Sequence, residues 1–253
     1  MSALSDGIMC IDMKLSCFFS VGLFFFFIPS LPFAQQVSDS VVYLESMARI
    51  HQVYLNEITD NAEIYHGKEY IRNGQKANGF PFFETDSIRT GSITYQGFTY
   101  NNQALYYDMV SDEIIIPNYL KNALIALSPA KVDSFSIGEH VFLFLKSSAS
   151  NQISIEGYYE RLFPGEPGLY AKKEKKLVTG MGSEETKYIQ YNSYFIKYND
   201  IFYTVDGKSS LLEILKDKED DLKKFIRANK LNFKKDLESA LFNSVAYYSQ
   251  LKH

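Results

Sequence analysis

Three histidines precede the terminal one, His51, His66 and His140, and imidazole is the side chain that both titrates near neutral pH and ligates transition metals. The densest polar group around any of them is Glu63, His66 and Glu69. Carboxylate and imidazole together could hold a metal ion. On a strand, however, residues an even number apart share a face, so Glu63 and Glu69 would face one way and His66 the other. The spacing therefore reads as a solvated strand with a turn at Gly67-Lys68. His140 follows Gly138-Glu139 and reads as a hairpin residue rather than a catalytic base. Glycoside hydrolysis needs only two carboxylates at a defined separation, and Glu156, Glu160, Glu166, Glu184, Glu185 and Asp206 are all available. Nothing in their spacing selects a pair.

Signatures of the commonest chemistries are missing. The sequence holds no HExxH pattern, P-loop, GxSxG elbow or EF-hand loop. Gly180-Met181-Gly182 begins like a dinucleotide fingerprint but lacks the third glycine and the strand-turn-helix context that gives the motif its meaning. No catalytic residue, metal ligand or cofactor site is assigned on sequence, and a non-enzymatic role is the expectation. N-x-[ST] acceptor triplets are likewise absent from the sequence.

The elements that must position these residues begin after a leader. Lys14 precedes an uncharged run from Leu15 to Ile28 that includes Phe18, Phe19 and Phe24 to Phe27, the basic region and apolar core of a signal peptide. Pro29 and Pro32 interrupt it, and cleavage is expected between Ala34 and Gln35, although Pro32 fits the small-residue rule at minus three poorly. An uncleaved anchor over Leu15 to Ala34 is the competing reading, since a spanning helix needs about 20 apolar residues. The two prolines and the polar flank Gln35, Gln36, Ser38 and Asp39 oppose it. Met13 stands directly before Lys14, so either Met1 or Met13 could be the start.

Residues 1–34 hold both cysteines, Cys10 and Cys17. Residues 35–253 are thiol-free, so they can form no disulfide and hold no thiolate-bound metal, and stability must come from a hydrophobic core. Their net charge of −3 gives no bulk attraction to nucleic acid or anionic lipid. The expected setting is the periplasm, the outer-membrane surface or the medium, with no membrane span after leader removal.

Three sections follow the leader. Ser40 to Ile58 carries apolar residues at partly helical spacing and reads as an N-terminal helix. From Ile64 to Val205, Tyr, Phe and Ile alternate with polar residues between tight-turn dipeptides, the pattern of antiparallel hairpins. Turns are expected at Gln96-Gly97, Asn101-Asn102, Ser111-Asp112, Gly138-Glu139 and Asn199-Asp200, where Gly and Asn tolerate positive φ. Phe163 to Gly168, with two prolines and two glycines, reads as a loop. The Lys172 to Lys176 stretch reads as an exposed edge strand guarded by lysines.

After Gly207 the pattern becomes helical. Ser210 to Glu213 resembles a capping box. Leu222, Phe225 and Ile226 form one apolar face; Leu237, Ala240, Leu241, Val245 and Tyr248 form a longer one that must dock, most simply on the sheet. The expected fold is α+β, mostly antiparallel β as a meander, sandwich or curved sheet, with an N-terminal helix and C-terminal helices. The expected divisions are 1–34, 35–207 and 208–253.

Two surface features bear on partners. The chain has 19 Tyr and no Trp; Tyr suits ligand surfaces, but it also suits half-exposed sheet faces. Residues 208–253 carry net +3, which an acidic partner could use, but the pattern reads first as a solvated helix face. The stretches Ile64 to Tyr70, Gly91 to Tyr100, Leu105 to Asp108, Gly157 to Glu160 and Lys223 to Asp236 together resemble a group of exported proteins of Bacteroidota to which no activity is assigned. The resemblance implies an envelope or secreted setting and carries over no site residue. On this reading the protein is a non-enzymatic binding or structural component of the envelope with an envelope protein or glycan as partner; the alternative is an exported hydrolase acting on glycans through paired carboxylates.

Overall fold

The computed structural model describes residues 63–72, 77–118, 122–147, 156–180 and 185–252, and Ser46 before them. The leader, the Ala34/Gln35 junction, His51, Glu184 and nearly all of the helix expected over Ser40 to Ile58 lie outside the described residues. The chain divides into Met1–Gln52 and Val53–His253; the elements below all belong to the second unit.

Alternating Tyr, Phe and Ile residues build eleven strands among the described residues: β1 Lys68–Glu69, β2 Arg89–Tyr95, β3 Phe98–Asp108, β4 Glu113–Asn118, β5 Ala123–Ala126, β6 Val132–Ile137, β7 His140–Leu145, β8 Gly157–Phe163, β9 Gly168–Thr179, β10 Thr186–Tyr198 and β11 Ile201–Val205. They form one antiparallel sheet in the order β1-β5-β4-β3-β2-β6-β7-β8-β9-β10-β11. Three helices follow: α1 Lys208–Ile214, α2 Glu219–Ala228 and α3 Leu237–Leu251. The α+β class and the curved sheet are as expected from the sequence.

The curvature has a direct measure. In a flat sheet β3 and β9 would stand five strand spacings, about 24 Å, apart. Instead the backbone N–H of Lys175 on β9 donates to the Met109 carbonyl at the end of β3, at 2.9 Å. The sheet from β3 to β9 therefore curls into a ring closed at one end. Its interior is filled by side chains, with Tyr107, Phe135, Phe142 and Tyr158 at the centre. Phe135 and Phe142 stack at 4.6 Å, and Tyr158 meets Phe135 edge-on at 5.1 Å. A second core forms where α1, α2 and α3 cover the end of the sheet, joining Leu169, Ala171, Tyr194 and Ile196 to Leu241 and Val245.

Strand alternation connects the two cores. On β8, Tyr158 enters the ring and Leu162 packs in the second core, leaving Glu160 between them on the same face. The opposite face carries Tyr159, Tyr170, Phe195 and Phe202 as a separate aromatic cluster.

Several local expectations are corrected. Asn101-Asn102 lies inside β3; Asn102 adopts φ +55° where the β2–β3 register shifts. A left-handed asparagine here makes a bulge that bends the strand without reversing it. The Lys172 to Lys176 stretch is not an edge: β9 is flanked by β8 and β10, and Lys172 and Lys173 are buried. Glu63–Tyr65 is a single 3₁₀ turn, so strand alternation does not govern Glu63, His66 and Glu69. Finally, α1 begins at Lys208, and Ser210 acts from within its first turn, with Oγ accepting from the backbone N–H groups of Asp206 and Gly207.

Candidate functional site

The seam between the two cores holds the most concentrated set of buried charges. Glu160 of β8 and Lys173 of β9 point to the same face, their side chains 4% and 10% exposed. Taking either charge out of water alone would cost several kcal/mol, and pairing offsets that cost. Glu160 Oε2 is held by Lys173, whose Nζ stands 2.6 Å away. Glu160 Oε1 faces His140 Nδ1 at 2.5 Å. On the other side, Lys173 Nζ stands 3.3 Å from Glu238 Oε2, and the Tyr194 hydroxyl donates to that same oxygen at 3.0 Å.

The network extends to the surface through His140, whose Nε2 lies 3.2 Å from Glu84 Oε1, while Glu84 Oε2 accepts from Arg89 at 3.3 Å. Both ring nitrogens can donate at once only in the imidazolium form. The His140 ring also meets Phe83 edge-on at 5.0 Å. Each member is placed by a separate element: His140 opens β7, Glu160 and Lys173 lie mid-strand, Tyr194 is on β10, and Glu238 lies in the first turn of α3, where the helix dipole favours a carboxylate.

Electrostatics follow from this geometry. Burial alone would lower the Lys173 ammonium, but contact with Glu160 and the charges of Glu160 and Glu238 reverse that, and its net shift is upward. Tyr194 is pushed up to about 12, chiefly by burial, with the Asn192 amide working against it and Glu238 adding to it. Lys175, two residues along β9, is shifted the other way by burial. Its ammonium donates to the Phe80 and Phe82 carbonyls and sits 4.3 Å from the Phe80 ring centre.

Of the carboxylates weighed on sequence, Glu160 alone enters this cluster. Glu156 is exposed, Glu166 caps the β10–β11 turn by accepting from the Asn199 N–H, Glu185 accepts from the Asn78 amide, and Asp206 accepts from the Ser210 hydroxyl. Gly180 follows the end of β9, and Met181 and Gly182 lie outside the described residues. His66 and Glu69 lie beside and on the short β1, and no group of three or more metal-ligating side chains converges among the described residues. Glu84, Lys173 and Glu238 were not singled out by sequence. Lys173 had a signal, since an alternating apolar strand that places a lysine after Leu169 and Ala171 must find it an acid.

Open clefts lie elsewhere among the described residues. One of about 360 Å³ is lined by Lys68, Tyr70, Asp108 and Ser111; another, about 580 Å³, lies between β11 and α1 and is lined by Tyr198, Tyr203, Ser210 and Glu213. Asp108 is already engaged, accepting from the Tyr70 hydroxyl at 2.7 Å and from the Val110 and Ser111 N–H groups. No helix among the described residues is long and apolar enough to cross a membrane. No family model, curated protein or solved structure matches the chain.

Proposed function

We propose that the chain is an exported, non-enzymatic structural or binding component of the cell envelope. The observation that carries this reading is the ammonium of Lys173 between Glu160 and Glu238. A glycosidase needs one protonated carboxyl and one carboxylate free to act on the sugar or on water. Lys173 engages both acids at once, and Glu160 is additionally engaged by His140. The group is suited to joining β7, β8, β9 and α3. The aromatic filling of the ring and the export pattern of residues 14–34 support the same reading.

The test is incubation of the purified protein with a panel of envelope polysaccharides, alongside cosedimentation with envelope fractions. Retention on the envelope without release of sugar is the expected result. Turnover that vanishes in both Glu160→Gln and Glu238→Gln, while circular dichroism shows both variants folded, overturns it in favour of hydrolysis by paired carboxylates.

A further inference from the structure

The ring is closed by more than the Lys175 to Met109 bond. The β3–β4 turn presents Asp112, held at φ +58°, against β8 and β9. Lys172 Nζ stands 2.6 Å from Asp112 Oδ2, with the lysine side chain 3% exposed. Both carboxyl oxygens are further held: the Tyr107 hydroxyl donates to Oδ1 at 2.6 Å, and the Tyr158 N–H donates to Oδ2 at 3.2 Å. Lys172 Nζ also donates to the Tyr158 carbonyl at 3.2 Å. The amine and the carboxyl thus meet in one orientation, fixed by four residues from three segments.

Gly157 shows how closely the site is built. A Cβ there would lie 2.1 Å from Asp112 Oδ2 and 2.5 Å from Lys172 Nζ, and its φ is +145°. Any side chain would occupy the space where the two groups meet, so the approach depends on glycine at this position.

We propose that Lys172 and Asp112 are joined after folding by an amide bond between Nζ and Cγ, which closes the ring covalently. This goes beyond the envelope role proposed above and does not depend on it. The lysine side chain is 3% exposed and the Asp112 side chain 29%, so the amine is the shielded partner; transfer of one proton from the ammonium to Oδ2 yields a neutral amine and a neutral acid. The nitrogen lone pair then adds to Cγ and forms the C–N bond, while the carbonyl pair moves onto Oδ1, where the Tyr107 hydroxyl stabilises the developing oxyanion. Collapse of this intermediate breaks the bond from Cγ to Oδ2. Oδ2 leaves as water, carrying the proton already received and a second one from the nitrogen. Charge and atoms balance, and no oxidant or cofactor is needed.

Condensation in water is ordinarily opposed by the solvent, but fixed placement supplies effective concentrations on the order of 10⁵ M or more. The bond would tie residues 60 positions apart in a region without thiols, constraining the unfolded chain as a disulfide does.

Intact-mass measurement of the purified protein tests this directly. The expected mass is one water below that of the sequence as processed, and peptide mapping is expected to recover a branched peptide joining the segments that contain Asp112 and Lys172. Tyr107→Phe, which leaves both reacting groups in place, is expected to lower the branched fraction at least tenfold shortly after synthesis. The full sequence mass, with Asp112 and Lys172 recovered on separate peptides, overturns the proposal. A branched fraction unchanged in Tyr107→Phe removes the tyrosine from the reaction.

Discussion

Removing Lys173 leaves Glu160, 4% exposed, facing Glu238 without the cation between them. Breaking a buried pair from one side costs about 3–5 kcal/mol because an uncompensated charge remains. Lys173→Ala is therefore expected to lower the stability measured by urea unfolding by about that amount, and a loss under about 1 kcal/mol would show that water reaches the seam. The buried tyrosines set the alkaline limit. Tyr159 is pushed up to about 12 by burial first and then by Glu174 and Asp112, and Tyr194 to about 12 chiefly by burial, both from an ordinary value of 10.0. A raised folded value means that the unfolded chain releases these protons first, so their contribution is complete below pH 10.0 and is lost as pH rises toward about 12. Urea midpoints are expected to be flat with respect to these groups below that window and to fall within it. In Tyr194→Phe the fall is expected to be shallower.

At the level of elements, turns are decided by backbone preference and were readable. Gln96 and Gly97 take φ +51° and +78°, and Asn199 and Asp200 take +52° and +62°, the two positive values of a type I′ hairpin. Asn101-Asn102 has the same local preference but becomes a bulge, because β3 continues past it to pair with β4. Close approach explains Gly91, where a Cβ would lie 1.8 Å from the Ser136 carbonyl oxygen of the neighbouring strand. The end of α2 carries a locally unfavourable residue. Lys230 sits at φ +51° while the Leu231 N–H bonds the Ile226 carbonyl and the Lys230 N–H bonds the Arg227 carbonyl, a Schellman ending that favours glycine. Lys230→Gly is expected to raise stability by about 0.5–1 kcal/mol. An unchanged or lowered urea midpoint would mean that the lysine side chain makes a contribution offsetting its backbone cost.

For the molecule as a whole, the two cores share β8: Tyr158 packs in the ring while Leu162 packs under the helices, beside Leu169 and Ala171 of the neighbouring β9. A disturbance of either core acts on that shared strand, so one unfolding transition is expected. Leu241→Ala, in a fully buried position of α3, is expected to cost about 2–5 kcal/mol and to shift the far-ultraviolet and tyrosine near-ultraviolet signals together. If the far-ultraviolet signal of the sheet keeps its midpoint while the helices melt earlier, residues 208–252 form a separately unfolding layer.

Sequence alone determined what depends on near neighbours. Hairpin dipeptides, two-residue alternation and the stripe from Leu237 to Tyr248 specified antiparallel strands followed by helices, because φ preference and side-chain period are local. The absence of cysteine from residues 35–253 likewise excluded disulfides without any structure. Tertiary structure decided where charges meet. Lys172 and Lys173 read as surface guards because nothing nearby reveals that β9 is covered on both sides, and their acids arrive from far along the chain, Asp112 from a turn and Glu238 from a helix. Burial is a property of the whole sheet's curl, and the pairing of buried charges follows from it.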